Sequence, residues 1–455
     1  MKVLLSSAEL FGYAKAGGLA DIVYGLAKSL KGLGVDVSIV VPLYGFAKDK
    51  ILGEVIDLDE NLKVVREKLY GLDVFFVKHS LFDRDSIYSE NGKDYDDNHL
   101  RFGLLSEAVA KIAQSFSFDI VHLNDWHTAL AAYYLKQTGF DGRIAFTIHN
   151  LAYQGVFEVE PEILKIDRKY FSHEYAEFYG KLNFLKVGIA FSDRVVFVSS
   201  AYLDEVLSGE FEFGLSGFIR NHSEKIIAIL NGIDYDEFNP QKDRLIYKGF
   251  SKDNLRGKYF NKQKLLSELG LKSNMPLFAF IGRFTEQKGV DFLYESLNEI
   301  LKLDLNFVVL GDSSVNYKEM FESIKSDRFV ALYGYNEQVA RRLYAASDFI
   351  VVPSVFEPCG LVQLIAFRYG SIPVVHSVGG LKQTVHPIDS NTCGVGFVYE
   401  NQTKEELLDS LEEAIRLYKD KGRLSKIRKF NMGCDFGVIR TAKEYMSLYE
   451  ELLGR

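Results

Sequence analysis

Short β-rich runs alternate with amphipathic helical patterns along almost the whole of this chain, and the alternation runs twice. KVLLSSA is followed by LADIVYGLAKSLKGLG, closed by a glycine, and then by VDVSIVVP. Further strands are expected at DVFFVKH, DIVHLN, IAFTIH, RVVFVS and KIIAIL. A polar stretch from about Asn239 to Met275 reads as irregular, and the pattern restarts at LFAFIGR. From there VDFLYESLNEILK, NFVVLGD, FVALYGY, NEQVARRLYAAS, FIVVPS, LVQLIAFRYG and IPVVHS repeat the order. Such alternation is the mark of parallel sheets with crossover helices. The reading is therefore α/β, with two Rossmann-like domains: residues 1–230, residues 231–434, and a closing helix over 435–455 that keeps apolar residues at helical spacing. Domains of this kind bind ligands outside the carboxyl ends of their strands, so two of them facing each other are expected to share one crevice.

Composition narrows the ligand. The chain has 455 residues, 47% hydrophobic and 25% charged, with a net charge of -8. That size allows two cores, and the acidic balance without a basic stripe excludes a nucleic acid held by counterion release. Three cysteines, Cys359, Cys393 and Cys434, are few and far apart, so neither a disulfide framework nor a zinc ribbon is expected and a reducing cytoplasm is the default. The start MKVLLSSAEL is too short an apolar run for a signal peptide, and no later span suits a bilayer, so no membrane partner is expected.

Chemistry is sought where strands meet helices. In Lys15-Ala16-Gly17-Gly18-Leu19-Ala20-Asp21 a cation and two glycines sit at such a junction. Small residues there let a diphosphate reach amides at a helix start; a tight turn needing positive φ explains the glycines as well. The pattern is not the G-x-G-x-x-G dinucleotide fingerprint, which argues against a nicotinamide dehydrogenase. In the second half Arg283 and Lys288 stand in one loop, GRFTEQKG, and Glu357 precedes a glycine at another, FEPCGL. Cations with a nearby carboxylate are what a sugar diphosphate requires: donors for phosphate oxygens and an acceptor for hydroxyls. The first half adds Asp125 in NDWH and His149 in TIHN at strand ends. Trp126 is read as a packing residue, and His122 and His127 lack the spacing of metal ligands, so no metal site is expected.

KAGGLAD, NDWH, TIHNLAYQG, NGID, GRFTEQKG, VFEPCGLVQL and SVGGLKQTV stand in the order and spacing of bacterial glycogen synthases and plant starch synthases, a resemblance that runs nearly end to end. The resemblance implies a GT-B glycosyltransferase, two Rossmann-like domains facing across a deep cleft with the C-terminal helix crossing back to the first. It implies glucose transfer from ADP-glucose, or UDP-glucose, to the nonreducing end of glycogen or another α-1,4-glucan, with retention and without metal or other cofactor. By resemblance Lys15, Gly17 and Gly18 meet the donor and Asp21 supports them; His149 lies beside the transferred glucose and Asp125 on the acceptor side. Asn231 bonds the sugar, Arg283 and Lys288 hold the diphosphate, and Glu357 binds glucose hydroxyls. Cys359, Gly360 and Leu361 complete sugar and phosphate contacts, Tyr335 stacks on the base, and Tyr95 belongs to the donor pocket. One departure is Val362, where the family often has threonine. A rival of the same fold would make a small glucoside, and a rival of another class would be a catalytically silent carbohydrate-binding protein.

Overall fold

The computed structural model describes residues 1–90, 92–311, 315–334 and 336–454. The chain divides into two compact units, Met1–Gly232 with Val438–Arg455, and Ile233–Gly437.

The first unit is built on a nine-stranded sheet: β1 (Lys2–Ser6), β2 (Asp36–Pro42), β3 (Glu54–Asp57), β4 (Lys63–Leu69), β5 (Leu72–Lys78), β6 (Ile120–Asn124), β7 (Arg143–Ile148), β8 (Arg194–Phe197) and β9 (Ile226–Ala228). Their order is β9-β8-β7-β6-β1-β2-β5-β4-β3. Six strands to one side and β5 run parallel, while β4 and β3 add antiparallel edges. Buried on both faces, β1 and β6 read as continuous apolar runs. Successive residues still serve opposite faces. Val3 and Leu5 join a core with α1 (Leu19–Gly32), whereas Leu4 joins the core formed with α2 (Asn98–Ser115) and α3 (Trp126–Gln137). The antiparallel pair β3 and β4 was not legible beforehand.

The polar stretch expected to be irregular contains a helix, α4 (Arg256–Glu268). Its buried face mixes Lys258, Asn261 and Lys262 with Leu265 and Leu266, which blurs the helical period. The Lys258 ammonium donates to the carbonyls of Tyr344, Ala345 and Tyr369 at 3.3, 3.3 and 2.8 Å, and Lys262 pairs with buried Asp348 at 2.5 Å. Satisfied in this way, buried ammonium groups anchor α4 to the second unit.

That unit carries seven strands: β10 (Leu277–Ile281), β11 (Asn306–Gly311), β12 (Phe329–Tyr333), β13 (Phe349–Val352), β14 (Ile372–His376), β15 (His386–Pro387) and β16 (Val395–Tyr399). The order is β12-β11-β10-β13-β14-β16-β15, and every pairing is parallel. Phe278 and Phe280 of β10 pack with Val290, Leu293 and Leu297 of α5 (Val290–Ile300). Two short helices, α6 (Val362–Arg368) and α7 (Gly379–Thr384), follow β13 and β14.

The last helix, α8 (Val438–Leu452), belongs to the first unit. Its Tyr449 and Tyr445 hydroxyls reach His122 Nδ1 at 2.7 Å and Thr147 Oγ1 at 2.9 Å, so His122 is a buried structural bridge. Among the described residues no helix is long and apolar enough to cross a membrane.

One expectation about cysteine is corrected: Cys393 and Cys434 form a disulfide, with Cα atoms 5.5 Å apart. The Asn431 side chain bonds both backbone groups of Val395, at 3.0 and 2.8 Å, and this draws the end of helix Lys421–Gly433 against the start of β16. Spacing in sequence gave no sign of that approach. Cys359 is buried and outside the disulfide.

Candidate active site

In the first unit the sequence leaves β1 at Ser6, makes a small turn closed by pairing of Leu10 with Ala14, and returns as residues 15–18 to start α1. Lys15 reaches both oxygens of Asp21, at 2.9 and 2.8 Å, so these two expected site residues form one partly exposed pair. Gly18 is the residue before α1, with φ -71° and no side-chain cap. Neither Gly17 nor Gly18 has positive φ. The N–H of Gly17 donates to Glu9 Oε2 at 2.8 Å, as does that of Ala16. A carboxylate of the chain thus occupies two amides of the loop.

Asp125 sits between β6 and α3 at φ 58° and ψ 177°. That is a conformation side-chain-bearing residues rarely adopt, costing of the order of 1–3 kcal/mol. It persists because both sides are held: Asp125 N–H donates to Thr147 O at 2.9 Å, and its Oδ1 accepts from the His149 N–H at 2.7 Å. Burial pushes its carboxyl up to about 7, against the lowering effect of the His149 and Asn150 N–H groups, and the Glu9 carboxylate adds to the rise. A carboxyl poised there exchanges a proton near neutrality.

His149, at the end of β7, is held by Asn124. The Asn124 amide nitrogen donates to Ser6 O at 3.1 Å, so its Oδ1 faces His149 Nε2 at 2.9 Å and Nε2 carries the proton. Burial lowers the imidazole to about 3, leaving it neutral. Its Nδ1 lone pair is buried without a hydrogen-bond partner among the described residues. Such a group accepts from a ligand hydroxyl or stays costly. His127, by contrast, is packed between Tyr88 and Phe102, and Trp126 packs on Phe102, Phe157 and Phe184. Tyr95 lies under the Arg101 guanidinium, 4.8 Å from its ring, and its N–H bonds the Tyr88 carbonyl, while Asn231 is buried just beyond β9.

In the second unit Arg283 is exposed beyond β10, two residues after its last residue. Lys288 ends a short turn, Glu286–Lys288, that precedes α5. Its ammonium meets Glu357 Oε2 at 2.6 Å, and Ser354 Oγ donates to the same oxygen at 2.9 Å. Glu357 is only 6% exposed. Lys288 and Glu357, 69 positions apart in sequence, thus meet because β10 and β13 are adjacent strands. Cys359 and Gly360 carbonyls are both held by Gln363 Nε2, at 3.0 and 2.8 Å, and Leu361 is the residue before α6. Val362, half-buried, opens that helix. Tyr335 lies outside the described residues.

Sequence reasoning missed Glu9 and Ser354 and gave Asn124 no role. Asn124 stood inside NDWH beside the chosen Asp125, and Glu9 inside the first strand's exit; nothing in spacing alone marked Ser354.

Comparison with known proteins completes the picture. Residues 2–221 match the family described as starch synthase catalytic domain, and residues 275–417 match glycosyl transferases group 1. A glycogen synthase of Aquifex aeolicus is 42% identical over 99% of both chains, and one of Clostridioides difficile is 35% identical over 99% of this chain and 100% of its own. Among solved structures, the catalytic domain of starch synthase IV from Arabidopsis thaliana, bound to ADP and acarbose, superposes with a TM-score of 0.91 at 33% identity, covering 100% of this chain and 99% of that one. A sucrose-phosphate synthase from Thermosynechococcus elongatus shares the fold at TM-score 0.67 and 18% identity, over 100% and 99%.

Proposed function

We propose that this chain, which belongs to the family of bacterial glycogen synthases and plant starch synthases, transfers glucose from ADP-glucose to the nonreducing end of an α-1,4-glucan by attack on the face from which the nucleotide leaves. It is a retaining glucosyltransferase of the glycogen and starch synthase type with the GT-B fold. ADP as the nucleotide is supported by the similar Arabidopsis synthase, whose structure holds ADP.

The observation that carries the reading is the Lys288–Glu357 pair at strand ends of the second unit. A departing diphosphate gains negative charge as the glycosidic bond breaks, so fixed cations stabilise the transition state more than the bound substrate. Arg283 offers a planar fork to two oxygens and Lys288 a point charge; both hold the diphosphate, with Lys15 contacting the donor's phosphates or sugar. Glu357 Oε2 is committed to Lys288 and Ser354, and Oε1 accepts from glucose hydroxyls. Neutral His149 accepts from the transferred glucose at Nδ1. Asp125 lies on the acceptor side.

Retention needs either a carboxylate nucleophile or same-face attack. Glu357, occupied by its cation and by hydroxyl recognition, is ill-suited to the first, so the leaving phosphate takes the acceptor's proton. The cations supply the charge a divalent ion would bring, and activity should persist in EDTA.

The test is incubation with labelled ADP-glucose or UDP-glucose and glycogen. Extension of the polymer with release of ADP is expected. Release without extension, preference for UDP-glucose, or a trapped glucosyl-enzyme would overturn the corresponding part of the reading. A cytoplasmic location belongs to the same proposal, and cell fractionation tests it.

A further inference from the structure

We propose that Glu9 is a positioning residue for glucosyl transfer: its carboxylate clamps the backbone of the loop bearing Lys15 and so sets where that ammonium stands. This rests on the assignment of the loop to the donor made above.

Glu9 is 4% exposed, and both its oxygens are used. Oε2 accepts from the N–H groups of Ala16 and Gly17, each at 2.8 Å, and Oε1 accepts from the Tyr88 hydroxyl at 2.6 Å. The Glu9 N–H is itself held by Ser7 Oγ at 3.0 Å, directly after β1. A rigid strand therefore reaches across the turn at residues 10–14 and grips the two peptide groups that follow Lys15. On its other side Lys15 is fixed by Asp21 in the first turn of α1.

Two successive amides converging on one oxygen are what loops offer to phosphate. Here an anion of the chain fills them. While Glu9 is in place, a diphosphate cannot settle on Ala16 and Gly17, and the loop is left to act through Lys15 and the start of α1. Removing the carboxylate would release both amides as a competing anion site and let Lys15 drift. Nucleotide would still bind, but out of register with the reacting carbon.

The full chain carrying Glu9→Ala and Glu9→Gln distinguishes this role from general support of the fold. In Glu9→Ala, kcat is expected to fall about a hundredfold, the usual cost of a misplacement near 1 Å, while the dissociation constant for ADP stays level or tightens. In Glu9→Gln the side-chain carbonyl still accepts from both amides and the amide nitrogen donates to Tyr88. That variant should recover about tenfold or more of the loss, since neutral hydrogen bonds replace charge-assisted ones. Amide hydrogen exchange at Ala16 and Gly17 should speed up in the alanine variant only.

Unchanged exchange in Glu9→Ala would remove the clamp. Equal damage from Ala and Gln would show that charge rather than geometry matters, and would also overturn the proposal. A drop in thermal midpoint with kcat intact would reduce Glu9 to a structural residue. If the wild-type chain moved glucose from neither nucleotide sugar while exchange responded as expected, the reading of function would fall and the clamp would stand.

Discussion

The two turns that carry the cations use glycine for opposite reasons. Gly289, between Lys288 and α5, has φ 68°, and a Cβ there would run into the Pro353 carbonyl oxygen. Gly17, beside Lys15, lacks positive φ, and a Cβ there would meet no atom of the chain within 4 Å. The intramolecular explanation of a turn glycine holds at Gly289 and fails at Gly17. The proposed contact of the Lys15 loop with the donor would account for the glycine there, since a side chain at that position would stand in the space the ligand enters. The buried carboxyls differ in the same manner. Glu357 has a cation at 2.6 Å, whereas Asp125 is held by backbone N–H groups and is pushed up to about 7 by burial.

That second contrast gives the largest expected effect. Folding raises the Asp125 carboxyl from 3.8 to about 7, so the folded chain binds this proton more tightly than the unfolded one. Its contribution to stability is full below pH about 4 and is lost as pH rises through about 7, a cost of up to about 4 kcal/mol from a three-unit shift. Asn does not titrate, is close to Asp in shape, and can accept from the same His149 N–H. Asp125→Asn should therefore stabilise the chain at pH 8 and hardly at pH 4.5, as unfolding midpoints at the two values would show. It should also slow glucose transfer. An equal effect at both pH values would mean that the carboxyl is not buried in its acid form.

Lys288→Ala comes next. Losing a charge-stabilising donor raises the barrier by about 3–4 kcal/mol, a hundred- to a thousandfold in kcat. It also leaves buried Glu357 without its cation. Lys288→Arg should restore only part of the rate, because a planar fork does not replace a point charge. Wild-type turnover in Lys288→Ala would undo the assignment.

Much of the fold was legible because parallel strands buried on both faces write themselves as apolar runs; DIVHLN and LFAFIGR became β6 and β10. Legibility failed where burial is polar. Helix α4 hides behind Lys258, Asn261 and Lys262, all buried and satisfied by carbonyls, a backbone amide or a carboxylate. The site shows the same division. Lys15, Asp125, His149, Lys288 and Glu357 could be named because each stands at a strand-to-helix junction, a place with known chemistry. The roles of Glu9, Asn124 and Ser354 could not be read, because their importance lies in which group they hold, and that depends on which strands become neighbours.

The glycines give the smaller effects and the sharper test. Gly289→Ala should destabilise the second unit by about 1–3 kcal/mol, from an unfavourable φ and a collision with backbone. Gly17→Ala should leave the unfolding midpoint within about 0.5 kcal/mol of wild type, since nothing in the chain opposes a methyl group there. Its effect belongs instead to the donor: a methyl on the exposed face of this loop should raise the KM for nucleotide sugar about tenfold, or about 1.4 kcal/mol, with the KM for glycogen unchanged. Stability and donor KM measured on both variants would cross over, one glycine serving the fold and the other the ligand. If Gly17→Ala kept the donor KM of wild type, the outward reading of that glycine would be lost, and with it the reason for placing the Lys15 loop at the substrate.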